Sequence, residues 1–455
     1  MEINSLSDGT QTSVQISEEH KNSEIDVRVA VIGNVDSGKS TLVGVLTRCI
    51  KDDGRGSARS LVFNYSHEQA NGRTSSISHE IMGFTGHGQQ IAPERVTDSK
   101  KNTWEYVVSR ASRVVTFLDL CGHEKYLKTT IFGLVGLLPD YTMIVIGANM
   151  GITRMAKEHI GLSLALKIPM FFVFTKIDMA PENIYKDNMN LLKRILASPA
   201  AGRIAMPVDE DTDVISLAGM MESKGCPIFT VSNVTGQGLE KLRDFISNLQ
   251  TRTQNSSIFG TINQPAEMLI DGIYMVTGVG LVVSGILKSG TVSINDTLYL
   301  GPDSTGGYKQ VSIKSIHKLR ISVDKAIAGQ SVCFGIRIQN KKEQLKRSFI
   351  KKGMVLVSKS LCAETSWEFD AEVVILHHAT TIKEKYQPII HAGVVRQAAS
   401  VVNMTKELLR PGDQGLIHFR FAYHPELIHP GMNILFREGR TKGLGVISQI
   451  YPINN

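Results

Sequence analysis

Gly33-Asn34-Val35-Asp36-Ser37-Gly38-Lys39-Ser40 follows directly on the apolar run Val27-Arg28-Val29-Ala30-Val31-Ile32 and leads into Thr41-Leu42-Val43-Gly44-Val45-Leu46. The first run predicts a strand and the last a helix. Strand, loop and helix are the context in which the pattern G-x-x-x-x-G-K-[ST] forms a phosphate loop. Two glycines let the backbone wrap so that successive N–H groups face phosphate oxygens, and the helix adds its positive amino-terminal end. Lys39 is placed to reach the β- and γ-phosphates, and the Ser40 hydroxyl to ligate Mg²⁺. The residues Gly33 to Thr41 are therefore read as nucleotide-binding, and the fold class as α/β with a doubly wound, mostly parallel sheet.

The base is decided downstream. Met170-Phe171-Phe172-Val173-Phe174 reads as a buried parallel strand, with Thr175-Lys176-Ile177-Asp178 at its carboxyl end. The Asp178 carboxylate accepts two hydrogen bonds, and guanine offers two adjacent donors. Adenine offers an acceptor there instead, a mismatch of about 1–3 kcal/mol. The apolar stem of Lys176 would cover one face of the base. A second strand, Pro227-Ile228-Phe229-Thr230-Val231, ends in Ser232-Asn233-Val234, whose backbone would approach guanine O6. Thr175 stands where many GTPases carry Asn, keeping a hydroxyl but losing the amide.

Between these motifs, Val114-Val115-Thr116-Phe117-Leu118 precedes Asp119-Leu120-Cys121-Gly122-His123. Asp119 is expected to hold a Mg²⁺-bound water and the Gly122 N–H to sense the γ-phosphate. His123 is either a satisfied loop histidine or the group that orients the attacking water. Thr74, in Gly72-Arg73-Thr74-Ser75-Ser76, is the candidate for the second Mg²⁺ hydroxyl.

In motif content and order, residues 27–250 resemble GTPases of the elongation factor Tu type. Ile273-Tyr274-Met275-Val276 with Gly278 to Gly285 resembles the opening of that superfamily's second domain, a β-barrel. Phe436 to Ile447 resembles the closing strands of its third. A narrower resemblance is to the eukaryotic family of GTP-binding protein 1. It is carried by Gly54-Arg55-Gly56-Ser57-Ala58-Arg59, Gly72 to Ser76, Gly122-His123-Glu124-Lys125-Tyr126-Leu127-Lys128-Thr129-Thr130 and Ser366-Trp367-Glu368-Phe369. The resemblance implies GTP hydrolysis, with GTP and Mg²⁺ as ligands and Lys39, Asp36 and His123 as the catalytic group. Asp36 supports the phosphate loop, with a monovalent cation as a further candidate ligand. Lys128 matches a lysine that touches the 5′ end of aminoacyl-tRNA, although any lysine on a helix face would look alike. Val35 matches one side of the gate beside the catalytic His, whereas Arg73 replaces the apolar residue on the other. No arginine finger is evident in the chain, so unassisted hydrolysis is expected to be slow and the ribosome to be the activator.

The chain has 455 residues, ample for three domains, with 42% hydrophobic and 20% charged residues. The expected division is a disordered tail over 1–25, the GTP-binding domain over 26–250, and β-barrels over 262–360 and 366–452. The tail is rich in Ser, Asn, Gln and Glu, and the barrels are marked by short Val-, Ile- and Thr-rich runs punctuated by glycine. Five scattered cysteines without C-x-x-C spacing read as reduced thiols. Neither a signal-peptide core nor an apolar run of membrane length is present, so a cytoplasmic chain with no membrane partner is expected. A net charge of +7 favours a polyanionic partner such as RNA, and no DNA partner is expected. Lys341 to Lys352 carries six positive charges and one negative, either a solvated barrel edge or an RNA-backbone contact.

Forty-four residues separate Thr74 from Asp119, more than elongation factor Tu has, and Gly83 to Ile91 within them predicts a hairpin. A tolerated surface insertion and a contact surface both stand open for it. Two functions follow from the whole: a translational GTPase engaging tRNA and ribosome, or a nucleotide-dependent switch in messenger RNA decay or signalling. A sulfate-activation subunit fits the family segments less well. The chain's end just after the third domain is expected to exclude a selenocysteine-type factor.

Overall fold

The computed structural model describes residues 25–96, 99–252, 259–339, 347–351, 353–377, 381–438 and 441–453. The tail expected to be disordered and, in the basic stretch, 341–346 with Lys352 lie outside the described residues. Ile25, assigned above to the tail, opens the first strand instead.

The strands of the nucleotide domain are β1 (Ile25–Gly33), β2 (Ser78–Phe84), β3 (Gln90–Ile91), β4 (Arg113–Asp119), β5 (Tyr141–Gly147), β6 (Met170–Thr175), β7 (Ile204–Pro207) and β8 (Gly225–Thr230). They lie side by side as β3-β2-β4-β1-β5-β6-β8-β7, with β2 and β3 antiparallel and the rest parallel. The helices are α1 (Lys39–Arg48), α2 (Ser57–Ser60), α3 (Ser66–Asn71), α4 (Lys100–Val108), α5 (Leu127–Gly136), α6 (Arg154–Ala165), α7 (Glu182–Ala197), α8 (Val214–Gly219) and α9 (Leu239–Asn248).

Side chains that alternate along each strand divide between two cores, which is why the strands read as continuous apolar runs. Val27, Val29, Val31, Phe117 and Phe171 pack on one face beneath α1, α8 and α9. Ala30, Ile32, Leu118, Phe172 and Phe174 pack on the other beneath α5, α6 and α7. Since α1 and α5 lie on opposite faces, the carboxyl ends of neighbouring β1 and β4 open a crevice. Such a switch point is where ligands bind in an open α/β sheet.

Two antiparallel sheets follow, each closed on itself and so without free edges in its ring. The first ring is Glu267–Val276, Gly280–Ser289, Thr297–Gly301, Lys309–Lys318, Ser331–Ile338 and Val355–Val357, closed where Thr297–Gly301 pairs with Lys309–Lys318. The second is Thr365–His377, Ile389–Ala392, Val395–Met404, Gln414–Phe421, Asn433–Glu438 and Thr441–Pro452, closed between Thr365–His377 and Gln414–Phe421.

Helix α5 joins all three bodies. Its Phe132 packs with Leu269 and Val355 of the first barrel and with Val394 and Leu427 of the second. The segment between Thr74 and Asp119 does form the expected hairpin, Gly83 facing Ile91 and Phe84 facing Gln90. Helix α4 makes the remainder a contact surface toward the chain's own first barrel. Trp104, Val107 and Val108 pack with Ile81, Ala111, Val114 and the barrel residue Leu319. All five cysteines are free thiols. Among the described residues no helix is long and apolar enough to cross a membrane.

Candidate nucleotide site

β1 leaves the sheet at Gly33, where any Cβ would collide with the Val145 carbonyl. Asp36 and Gly38 then take left-handed conformations (φ 59° and 83°), closing the loop back onto α1. The Ser37 hydroxyl donates to the Asn34 carbonyl at 2.9 Å and Lys39 Nζ donates to the same oxygen at 2.7 Å. No side chain caps α1, so its first N–H groups remain open to an anion. Lys39 is buried, and burial lowers its basicity while Asp119 opposes that shift.

Ser40, Thr74 and Asp119, the three candidate metal ligands, lie together. The Ser40 hydroxyl donates to Asp119 Oδ2 at 2.6 Å and lies 2.8 Å from Thr74 Oγ1, which is itself 3.5 Å from Asp119 Oδ2. Asp119 is only 1% exposed and its Oδ1 has no hydrogen-bond partner among the described residues. Burial raises its pKa above the ordinary carboxylate value, with Lys39 and the Ser40 hydroxyl pulling the other way. Two hydroxyls and a carboxylate with a free buried oxygen fit Mg²⁺, a hard cation held by few protein ligands together with phosphate oxygens. The Thr74 loop is held by Glu68, a fully buried carboxylate that accepts five hydrogen bonds, from Asn64, Ser75 and Ser76.

Gly122 lies against the phosphate loop. A Cβ there would stand 2.5 Å from Lys39 Nζ and 2.8 Å from the Gly33 carbonyl oxygen. His123 is exposed; its Nδ1 accepts from the Lys125 N–H at 3.0 Å and caps the short turn Glu124–Tyr126. Val35, Asp36, Lys39, Ser40, Thr41, Arg73, Thr74, Gly122 and His123 line one cleft of about 440 Å³. Arg59 lines it too. Neither periodicity nor spacing singles out Arg59; the one signal in the sequence is its place in the Gly54–Arg59 run.

On the base side, Thr175 is fully buried and its hydroxyl donates to the Ser37 carbonyl at 2.6 Å. That hydroxyl therefore ties the base loop to the phosphate loop. Lys176 is half-buried in a left-handed conformation (φ 60°), and Asp178 is exposed on the turn that follows. Ser232 accepts from the Val234 N–H at 3.3 Å and the Thr235 N–H at 3.1 Å, shaping the second base loop. Asn233 Oδ1 is buried without a hydrogen-bond partner among the described residues. Lys128 sits exposed in the first turn of α5, near enough to His391 of the second barrel to help lower that pKa to about 3, after burial. His67 bonds Ser75, and no cluster of three or more His, Cys, Asp or Glu exists among the described residues.

Fold and site together define a GTPase domain followed by two β-barrels. The elongation factor Tu GTP-binding domain family matches residues 25–251, and elongation factor Tu domain 2 matches 280–357. GTP-binding protein 1 of Xenopus laevis is 45% identical over 95% of this chain and 65% of its own length. GTP-binding protein 2 of Homo sapiens is 40% identical over 94% of this chain and 70% of its own. The chain thus spans about two thirds of each relative. Translation elongation factor SelB from Methanococcus maripaludis, solved with the GTP analogue GppNHp, superposes with a TM-score of 0.65 at 20% identity over 94% of this chain and 80% of that one. The chain belongs to the family of GTP-binding proteins 1 and 2, GTPases of the elongation factor Tu type.

Proposed function

We propose that the chain binds GTP, hydrolyses it, and uses the change to engage and release aminoacyl-tRNA on the ribosome, in elongation or ribosome surveillance in the cytoplasm. The observation that carries this reading is the meeting of Ser40, Thr74 and Asp119 beside Lys39. It stands a few residues from α5, the helix packed on both barrels. Mg²⁺ held by Ser40, Thr74 and, through water, Asp119 would neutralise charge on the β- and γ-phosphates. Lys39 and the α1 amino terminus bind the phosphates, and Asp178 selects guanine. Thr74 and the Gly122 N–H sense the γ-phosphate and fix the loops that carry them. Asp36 supports the phosphate loop, and a monovalent cation beside it belongs to the same proposal.

His123 has a defined chemical role in this scheme. Because Nδ1 accepts from the Lys125 N–H, the neutral ring carries its proton on Nε2. While that bond holds, Nε2 donates and cannot take a proton. His123 therefore orients the attacking water as a donor rather than deprotonating it.

Support for the tRNA step comes from the barrels that follow the GTPase domain, from Lys128, and from the elongation-factor names of the matching domains and of the SelB structure. Filter binding at graded salt tests it. Aminoacyl-tRNA should be retained over uncharged tRNA with GTP and not with GDP. Equal retention of the two would favour a switch serving messenger RNA decay or signalling.

A further inference from the structure

We propose that Arg59 supplies, from within the same chain, the positive charge that stabilises the γ-phosphoryl group as it leaves GTP. The inference rests on the GTP-hydrolysing reading above and names a residue which that reading does not use.

Arg59 lines the cleft that holds Lys39, Thr74, Gly122 and His123, and it is half-buried there. Its guanidinium lies over two glycines. A Cβ at Gly56 would stand 2.5 Å from Nε, and one at Gly72 would stand 3.1 Å from Nη2. The backbone beneath Arg59 is fixed to the phosphate-binding helix. Ala58 is fully buried, and any side chain larger than glycine at Gly44 of α1 would collide with its carbonyl.

The guanidinium makes no hydrogen bond or ion pair among the described residues. Other arginines of the chain do have partners: Arg28 lies 3.7 Å from Asp140, Arg437 lies 3.8 Å from Glu158, and Arg113 donates to the Leu249 carbonyl. Acids do stand near Arg59 in sequence, but their oxygens build the loop. Asp52 accepts from the Gly54, Gly56 and Ala58 N–H groups at 3.0, 3.2 and 3.0 Å. Asp53 accepts from the Arg55 and Ser57 N–H groups at 2.8 and 3.1 Å. A held arginine with no counter-ion, in a cleft that otherwise fits a triphosphate, has the γ-phosphate as its natural partner. Arg73 and Lys125 also line the cleft but are exposed.

In the reaction the water oxygen bonds to the γ-phosphorus. The bond from that phosphorus to the β–γ bridging oxygen breaks, leaving its electron pair on GDP, and the proton of the water ends on the released phosphate. Negative charge grows on the bridging oxygen, where a guanidinium fork stabilises the transition state more than the ground state.

Single-turnover GTP hydrolysis by the full chain, without any activator, tests this with Arg59→Ala and Arg59→Lys. Arg59→Ala should slow hydrolysis by about 10³-fold. Affinity for GDP and for a non-hydrolysable GTP analogue should stay within about threefold, while affinity for GDP–aluminium fluoride falls steeply. Arg59→Lys, which keeps the charge and the fold, should recover only part of the rate. An unchanged rate, an unchanged aluminium fluoride affinity, or equal losses in analogue binding and rate would each overturn the assignment while the GTPase reading stands. A parent chain that retains no guanine nucleotide would overturn both.

Discussion

The guanidinium of Arg320 stands 4.8 Å above the ring of Trp104, holding a turn of the first barrel against α4 of the nucleotide domain. Leu319 and Arg320 both have positive φ, 48° and 69°, a conformation that costs non-glycine residues about 1–3 kcal/mol each unless packing compensates. Trp104, only 7% exposed, provides that packing. At the other end of α4, Lys100 pairs with Glu80 and donates to the Val62 carbonyl at 3.2 Å and to Asn64 Oδ1 at 2.7 Å. The helix thus links the segment just beyond Arg59 to the first barrel.

Trp104→Ala should lower unfolding stability by about 3–5 kcal/mol in urea titration, the usual cost of deleting a buried aromatic side chain. A double-mutant cycle with Arg320→Ala should return a coupling of about 0.5–1 kcal/mol. Additive losses would show that the stacked pair contributes nothing of its own.

In the proposed scheme Thr74 responds to the triphosphate. Its hydroxyl shares Asp119 with Ser40, and the loop beyond it is held by Glu68 and by His67 on Ser75. Thr74→Ala should weaken GTP–Mg²⁺ binding by about tenfold, the worth of one charge-assisted contact, and leave GDP binding nearly unchanged in calorimetry. Equal weakening of both would place Thr74 outside the γ-phosphate response.

At the base, Asp178→Asn exchanges one acceptor for a donor. Guanine then loses a partner for its 2-amino group, whereas xanthine, with an oxygen at that position, gains one. Competition binding should show GTP weakened by about tenfold or more and xanthosine triphosphate improved. Unaltered preference would mean that another group reads the purine edge.

His123→Ala should leave GTP affinity intact and reduce activator-stimulated turnover by about 10²-fold or more, the usual cost of losing the group that positions a reactant. Parallel loss of binding and turnover would instead make His123 a structural cap of the Glu124–Tyr126 turn.

Much of this site is legible because its parts are local. Gly33 to Ser40, Asp119 to Gly122 and Thr175 to Asp178 each end an apolar strand, so the strand order that collects them follows from the sheet itself. The bond from the Thr175 hydroxyl to the Ser37 carbonyl is not legible from sequence, because the two residues lie 138 positions apart. Arg59 escapes for the same reason: its place depends on Gly44 accepting Ala58 and on Asp52 folding the loop. Helix α4 did carry a signal. Trp104, Val107 and Val108 fall on one helical face, though nothing local says that Leu319 covers it.

The two barrels are joined by a titratable clasp with a calculable sign. His429 of the second barrel bonds Glu364 through Nδ1 and lies 3.3 Å from Glu267 of the first through Nε2, and Glu267 also pairs with Lys288 at 2.9 Å. Burial lowers the His429 pKa, but the bond and charge of Glu267 and the bond of Glu364 more than offset it, so it ends above the ordinary value. Burial likewise raises Glu267, and His429 with Lys288 more than reverse that. A raised histidine stabilises the folded state fully below its unfolded pKa of about 6.5 and loses that contribution as pH climbs through its folded value. A depressed carboxylate stabilises above about pH 4.3 and loses its share as pH falls through its own folded value. The clasp is therefore strongest between the two. Urea midpoints measured from about pH 5 to about pH 9 should decline on the alkaline side in the parent chain and decline less in His429→Gln, which keeps a donor but cannot titrate. Equal alkaline slopes would assign the decline to other groups.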